Sequence, residues 1–149
     1  MEAKKEGMES PSIVFHTMKQ QAFDLFSRKD NIILTYLFGS RAEGRSTSHS
    51  DYDIAILFSS KVPWRQLIRI SHEISLYYGI SKVDVVDLRR VPIELAFRII
   101  STGKIIYEKT VYDRVEFEAD TMGRYYDSLH DLRSSRDRLL ERRSHEAGI

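Results

Sequence analysis

Four residues in LFGSRAEGRSTSHSDYDIAIL could do chemistry together: Gly39, Ser40, Asp51 and Asp53. Asp51 and Asp53 lie two apart. On a strand, that spacing points both carboxylates to one face. Two like charges aimed the same way on an apolar sheet are costly unless something positive sits between them. A pair of Mg²⁺ ions about 3.5–4 Å apart is the usual answer in phosphoryl-transfer enzymes. Gly39 and Ser40 follow directly on a β-rich apolar run. Glycine lets the backbone approach a ligand closely, and Ser40 adds a hydroxyl beside N–H groups that would face a triphosphate if a helical turn starts there. A Gly-Ser dipeptide alone is common in turns, and an Asp-x-Asp alone is mostly solvated or caps a turn. The two together, each tied to a strand, are far more specific.

The elements that must position these residues can be read from the pattern of apolar side chains. Asn31 to Phe38 is strongly apolar and predicts a buried strand; Asp51 to Phe58 predicts a second. Gly39 to Ser50 is the small, polar connection between them. Pro11 and Ser12 open a helix to about Lys29, with Val14, Met18, Ala22, Leu25 and Phe26 on one face. Pro63 to Tyr78 carries Leu67, Ile70, Ile74 and Tyr77 at helical spacing, and Gly79 ends it. Lys82 to Leu88 predicts a third strand. Pro92 opens a helix through Leu95, Ile99 and Ile100, which closes near Gly103. Lys104 to Tyr107 predicts a short edge strand. A long helix follows from about Tyr112 to Arg142, with a stripe of Val115, Ala119, Met122, Tyr126 and Leu129 that continues less cleanly to Leu132, Leu139 and Leu140. Strands separated by helices predict an α/β or α+β fold: a small mixed sheet flanked by helices, with a long C-terminal helix. The glycine after the first strand is followed by serine rather than by a G-x-G-x-x-G loop, so this is no Rossmann domain.

Bulk properties narrow the function. A chain of 149 residues predicts one domain, here residues 11–149 behind a flexible polar tail of residues 1–10. Its net charge of +1 argues against a stable nucleic-acid complex. It has no cysteine, so any metal must sit on oxygen or imidazole ligands, which favours Mg²⁺ or Mn²⁺. No apolar run reaches membrane-spanning length, and MEAKKEGMES has no apolar signal core. The expectation is a cytoplasmic protein without membrane contact.

The pattern Gly-Ser, ten residues, Asp-x-Asp resembles the signature of the DNA polymerase beta-like nucleotidyltransferase superfamily, and Gly39, Ser40, Asp51 and Asp53 meet it. The run GSRAEG…SDYDIAIL is similar to the minimal nucleotidyltransferases (MNT) found in prokaryotes beside small helical proteins called HEPT. The stretches KVDVVDLRRVP, GKIIYE and VEFEADTMGRYYDSL carry the similarity across about residues 30–130, toward the antitoxin branch of HEPT/MNT toxin–antitoxin pairs. The superfamily uses a third carboxylate on a neighbouring strand. Asp84 and Asp87 are the candidates; being three apart, they face opposite sides, so only one can join the pair. The resemblance implies Asp84, with Asp87 near the strand end beside Arg89 or Arg90. It further implies a catalytic and metal-binding set of Asp51, Asp53 and Asp84 that holds two Mg²⁺ ions. ATP is the implied substrate, with Gly39 and Ser40 at its phosphates, and a HEPT toxin hydroxyl, of a tyrosine, is the implied acceptor. The rivals are an aminoglycoside-type small-molecule nucleotidyltransferase and a non-catalytic antitoxin that works by contact alone.

Several features stay open. Arg41 and Arg45 either contact nucleotide phosphate or are solvated loop charges. His49 either touches phosphate or is simply exposed. Tyr52 should point away from the metals into the core. Arg133, Arg136, Arg138, Arg142 and Arg143 form either a surface for an acidic partner or a solvated helix end. A homo-oligomer and a hetero-oligomer both fit the sequence.

Overall fold

A computed structural model describes residues 11–47, 49–146 and 148. The tail expected over residues 1–10 lies outside the described residues. The elements follow in the order α1 (Pro11–Phe26), β1 (Ile32–Phe38), a single 3₁₀ turn (Gly39–Arg41), β2 (Tyr52–Phe58), α2 (Trp64–Tyr78), β3 (Val83–Asp87), α3 (Ile93–Thr102), β4 (Lys104–Glu108) and α4 (Val111–Glu146). The four strands form one sheet in the order β3-β2-β1-β4. β1 runs antiparallel to both β2 and β4, while β2 and β3 are parallel and joined through α2. This is the mixed sheet flanked by helices that the alternation of patterns predicts.

Helices cover both faces. Met18, Ala22 and Phe26 of α1 and Ile70 and Ile74 of α2 pack with Ile32, Ile54, Ile56 and Phe58 on one face. Leu34, Tyr36, Ala55 and Leu57 face the other way, toward Ile99 of α3 and Phe117 of α4. The alternation of Ile54 and Ile56 with Ala55 and Leu57 explains why β2 reads as a continuous apolar run, since both its faces are buried. Gly79 ends α2 in the left-handed conformation, with φ +65°.

The long helix departs from expectation. Its apolar stripe Val115, Ala119, Met122 and Tyr126 faces solvent, as do Leu132, Leu139 and Leu140; only Leu129 is half-buried. The packed face is instead Arg114, Phe117, Glu118, Thr121 and Tyr125. The reason is that polar groups make the attachment. Tyr36, buried in the sheet, donates a 2.6 Å hydrogen bond to Glu118, and Arg114 pairs with Glu108 at 2.6 Å and Glu118 at 3.1 Å. Tyr125 stacks on Phe97 of α3, their ring centroids 3.9 Å apart. Hydrophobic periodicity cannot detect a face held by ion pairs.

Candidate active site

The register of the sheet gathers the distant halves of the motif. Phe38, the last residue of β1, pairs with Asp53 near the start of antiparallel β2. Gly39 therefore leaves the sheet beside Asp53 as the chain turns into the 3₁₀ turn. Gly39 has φ +70°, a conformation that strains any residue with a side chain. A Cβ there would stand 3.2 Å from the Asp53 carboxyl carbon and closer still to its Oδ2. Glycine is thus required twice, by the backbone and by the carboxylate it makes room for.

The parallel pairing of β2 with β3 places Asp84 opposite Asp53. Asp53 shares its face with Ala55 and Leu57, and Asp84 shares the same side with Val86. Asp51 stands one residue before β2, where the Tyr52 N–H is held by the Lys82 carbonyl at 3.0 Å. Burial, then the charges of Asp84 and Asp51, hold the Asp53 carboxyl above the usual carboxylate range. Asp51 and Asp84 are therefore both close enough to act on Asp53. Among the described residues, no three His, Cys, Asp or Glu side chains form a ready-made metal cage.

Asp87 is a different kind of residue. It ends β3 opposite Ile56 and is almost fully buried. Its Oδ1 accepts the Arg89 N–H at 3.0 Å. Its Oδ2 lies 3.5 Å from Arg90 Nε without an aligned hydrogen bond. These contacts fasten the strand end to the turn that leads to α3.

Neither loop arginine points at the carboxylates. Arg41 folds back, donating to the Ser50 carbonyl through Nε at 3.1 Å and Nη2 at 2.7 Å, with its guanidinium 3.9 Å above the Tyr52 ring. Tyr52 packs against the α1/α2 core, so Arg41 ties the connection to that layer. Arg45 pairs with Glu43, which also binds Arg98 of α3 at 3.1 Å. These contacts, Arg45 first and then Arg98, hold the Glu43 carboxyl below its usual range. His49 is exposed. The cation nearest the cluster among the described ion pairs is Lys82, whose Nζ is 3.9 Å from Asp51 Oδ1 with 71% of its side chain exposed. Glu43, Arg98 and Lys82 have no signal in the sequence, because Glu43 and Arg98, 55 residues apart, and Asp51 and Lys82 meet only once the chain is folded.

The geometry is that of a shared signature. The family model for polymerase beta nucleotidyltransferases matches residues 20–111. No curated protein matches the sequence. Several solved structures share the fold. One, described as a toxin–antitoxin crystallised with AMP-PNP, is 24% identical over 82% of this chain and 98% of that one, with a TM-score of 0.68. A mutant MntA–HpeT toxin–antitoxin is 26% identical over 82% and 97% of the two chains, with a TM-score of 0.66. A third, a tri-AMPylated Shewanella oneidensis HEPN toxin in complex with MNT antitoxin, is 23% identical over 85% and 98%, with a TM-score of 0.64. With the family model spanning more than half its length, and with the Gly-Ser turn and facing carboxylates in place, this chain belongs to the polymerase beta nucleotidyltransferase family.

Proposed function

We propose that this chain is the antitoxin of a toxin–antitoxin pair and transfers AMP from ATP to a tyrosine hydroxyl of a cognate HEPT toxin. The observation that carries the reading is the Asp53–Asp84 pairing across β2 and β3, beside a glycine whose missing side chain leaves space for the Asp53 carboxylate. The similar structures supply the choice of nucleotide and acceptor: one holds AMP-PNP, and another pairs an MNT antitoxin with a tri-AMPylated toxin.

In the reaction, the toxin hydroxyl oxygen bonds to the α-phosphorus of ATP. The bond from that phosphorus to the bridging oxygen breaks, pyrophosphate leaves, and the hydroxyl proton passes to solvent. No side chain acts as nucleophile; positioning and charge neutralisation supply the rate. Gly39 and Ser40 take the triphosphate at the turn, while Asp51, Asp53 and Asp84 define where the α-phosphate and the hydroxyl meet.

The donor set fits Mg²⁺. Three carboxylates suit a hard cation, and burial, then the charges of Asp84 and Asp51, already holds the Asp53 carboxyl above its usual range. Mg²⁺ takes one or two carboxylates together with substrate phosphates rather than an all-protein cage, so the lack of a three-ligand cage among the described residues is compatible with it. Asp51, Asp53 and Asp84 would hold two ions, and these would supply charge neutralisation at the reacting phosphate oxygens. No described helix is long and apolar enough to cross a membrane. We place the reaction in the cytoplasm, where ATP is available.

Intact-mass spectrometry of the toxin, after incubation with ATP and Mg²⁺, tests the proposal. The expected result is a gain of one or more AMP units with wild type and none with Asp53→Ala. A toxin left unmodified yet inhibited equally by both proteins would establish a contact-only antitoxin. An unmodified toxin alongside a labelled aminoglycoside would establish the small-molecule enzyme.

A further inference from the structure

The outer face of α4 has no partner in this fold. Tyr112, Val115, Ala119, Met122, Tyr126 and Leu129 follow one another at alternating spacings of three and four. Tyr112, Val115, Met122 and Tyr126 are between 43% and 73% exposed. Spacings of three and four mark the contact face of a helix, against a globular body or along a coiled-coil seam alike. The inner face of α4 already serves the first purpose through Phe117, Thr121 and Tyr125. The outer repeat is therefore a second contact face. It continues at Arg133, Arg136, Leu140 and Arg143 into the distal half, beyond the stacking of Tyr125 on α3. The whole helix has 36 residues and is about 54 Å long.

Charge selects the occupant. Residues 111–128 carry five acidic and two basic side chains, whereas residues 129–146 carry four acidic and five basic ones. Parallel self-pairing would set the acidic halves together. Antiparallel pairing sets each acidic half against a basic half, so the helix is complementary to an inverted copy of itself.

We propose that α4 pairs with α4 of a second copy as an antiparallel coiled coil, making the protein a two-fold symmetric dimer. Centring the contact between Asp127 and Ser128 brings Tyr126 to Leu129 of the partner subunit and Val115 to the partner's Leu140. Arg133 and Arg136 then stand opposite Met122 and Ala119 of the partner subunit, within a turn of the partner's Glu116 and Asp120. The active site stays clear. Asp53 and Asp84 stand on β2 and β3 and Asp51 just before β2, at one side of the sheet, whereas α4 packs on α3, β1 and β4.

Light scattering of the full chain gives the first test. Wild type should show twice the 17.4 kDa chain mass. Tyr126→Glu should fall to the single-chain mass with an unchanged circular dichroism spectrum. The chain has no cysteine, so introduced thiols report orientation. Val115→Cys and Leu140→Cys stand roughly 37 Å apart along the helix. Neither should cross-link to itself, and a mixture of the two should cross-link. A wild-type monomer, or variants that each cross-link to themselves, would overturn the proposal. A wild-type monomer that recruits a HEPT toxin through this face, with recruitment lost in Tyr126→Glu, would assign the seam to the toxin instead.

Discussion

Gly39→Ala tests whether glycine at the end of β1 makes room for the Asp53 carboxylate or only eases a turn. Two costs must be separated. Holding alanine in the left-handed conformation costs about 1–2 kcal/mol. In a chain of this size, that lowers Tm by roughly 2–8 °C. Gly79 provides the control, because it has φ +65° and open space where its Cβ would be. Gly79→Ala therefore carries the backbone cost alone. At Gly39 the new methyl would also stand 3.2 Å from the Asp53 carboxyl carbon and closer to Oδ2. The backbone of Asp53 is fixed by its pairing with Phe38, so the carboxylate must yield. A displacement on the order of 1 Å in a catalytic group costs about 10²-fold in rate. The two variants should thus melt alike, while Gly39→Ala alone loses about 10²-fold in single-turnover AMP transfer. Thermal melts and toxin mass spectrometry on the same samples make the comparison. If Gly39→Ala transfers AMP within about threefold of Gly79→Ala, Asp53 does not need the space and the argument fails.

Asp84→Asn should abolish transfer with little change in Tm. Asp87→Asn should keep transfer and lose about 1–3 kcal/mol of stability, because a buried acceptor of the Arg89 N–H and the partner of Arg90 is weakened; the reverse pattern would put the wrong aspartate on the catalytic face. Asp53→Asn should raise Tm at about pH 7.5 and lose that advantage toward about pH 4. The sign follows from the raised pKa: ionised Asp53 subtracts stability above its folded pKa, and the penalty fades as pH falls toward the ordinary value of 3.8. An advantage that does not change with pH in thermal melts would exclude charge repulsion as its source. Arg41→Lys should hasten proteolysis between residues 39 and 50, because lysine cannot make the forked contact to Ser50. A raised KM for ATP with unchanged proteolysis would instead assign Arg41 to phosphate.

What could be read from the sequence was whatever depends on short-range pattern. β1 and β2 announce themselves as apolar runs, and Gly79 and Gly103 mark helix ends, so the mixed sheet follows from alternation. The opposite facing of Asp84 and Asp87 follows from strand parity, and the exposed and buried aspartates of β3 show it in the fold. The choice of Asp84 needed the resemblance, because strand ends read from sequence drift by a residue or two. Asp51 illustrates the drift: it stands just outside β2, not on it. What could not be read depends on contacts across the fold. Arg41 and Arg45 looked free beside the motif, yet Arg41 spends its guanidinium on Ser50 and Tyr52 and Arg45 on Glu43. The packing face of α4 was misread for the same reason, since Tyr36, Glu108 and Glu118 reward polar residues there.

The anchored connection explains how the candidate site is held steady. Its stem is fixed at Gly39 by the β1–β2 register. Its middle is held toward α3 through Glu43 and Arg98, and its end toward the α1/α2 layer through Arg41, Ser50 and Tyr52. An exposed ion pair such as Arg98–Glu43 contributes little alone, up to about 1 kcal/mol, but opposed tethers restrict the turn in two directions. Meanwhile α3 and α4 pack toward β1 and β4, and Asp84 on β3 remains exposed. On the proposed function, rigidity around the nucleotide and openness toward the acceptor come from the same layout. On that same function, a macromolecule carrying its own hydroxyl on its own surface would approach from the side of exposed Asp84.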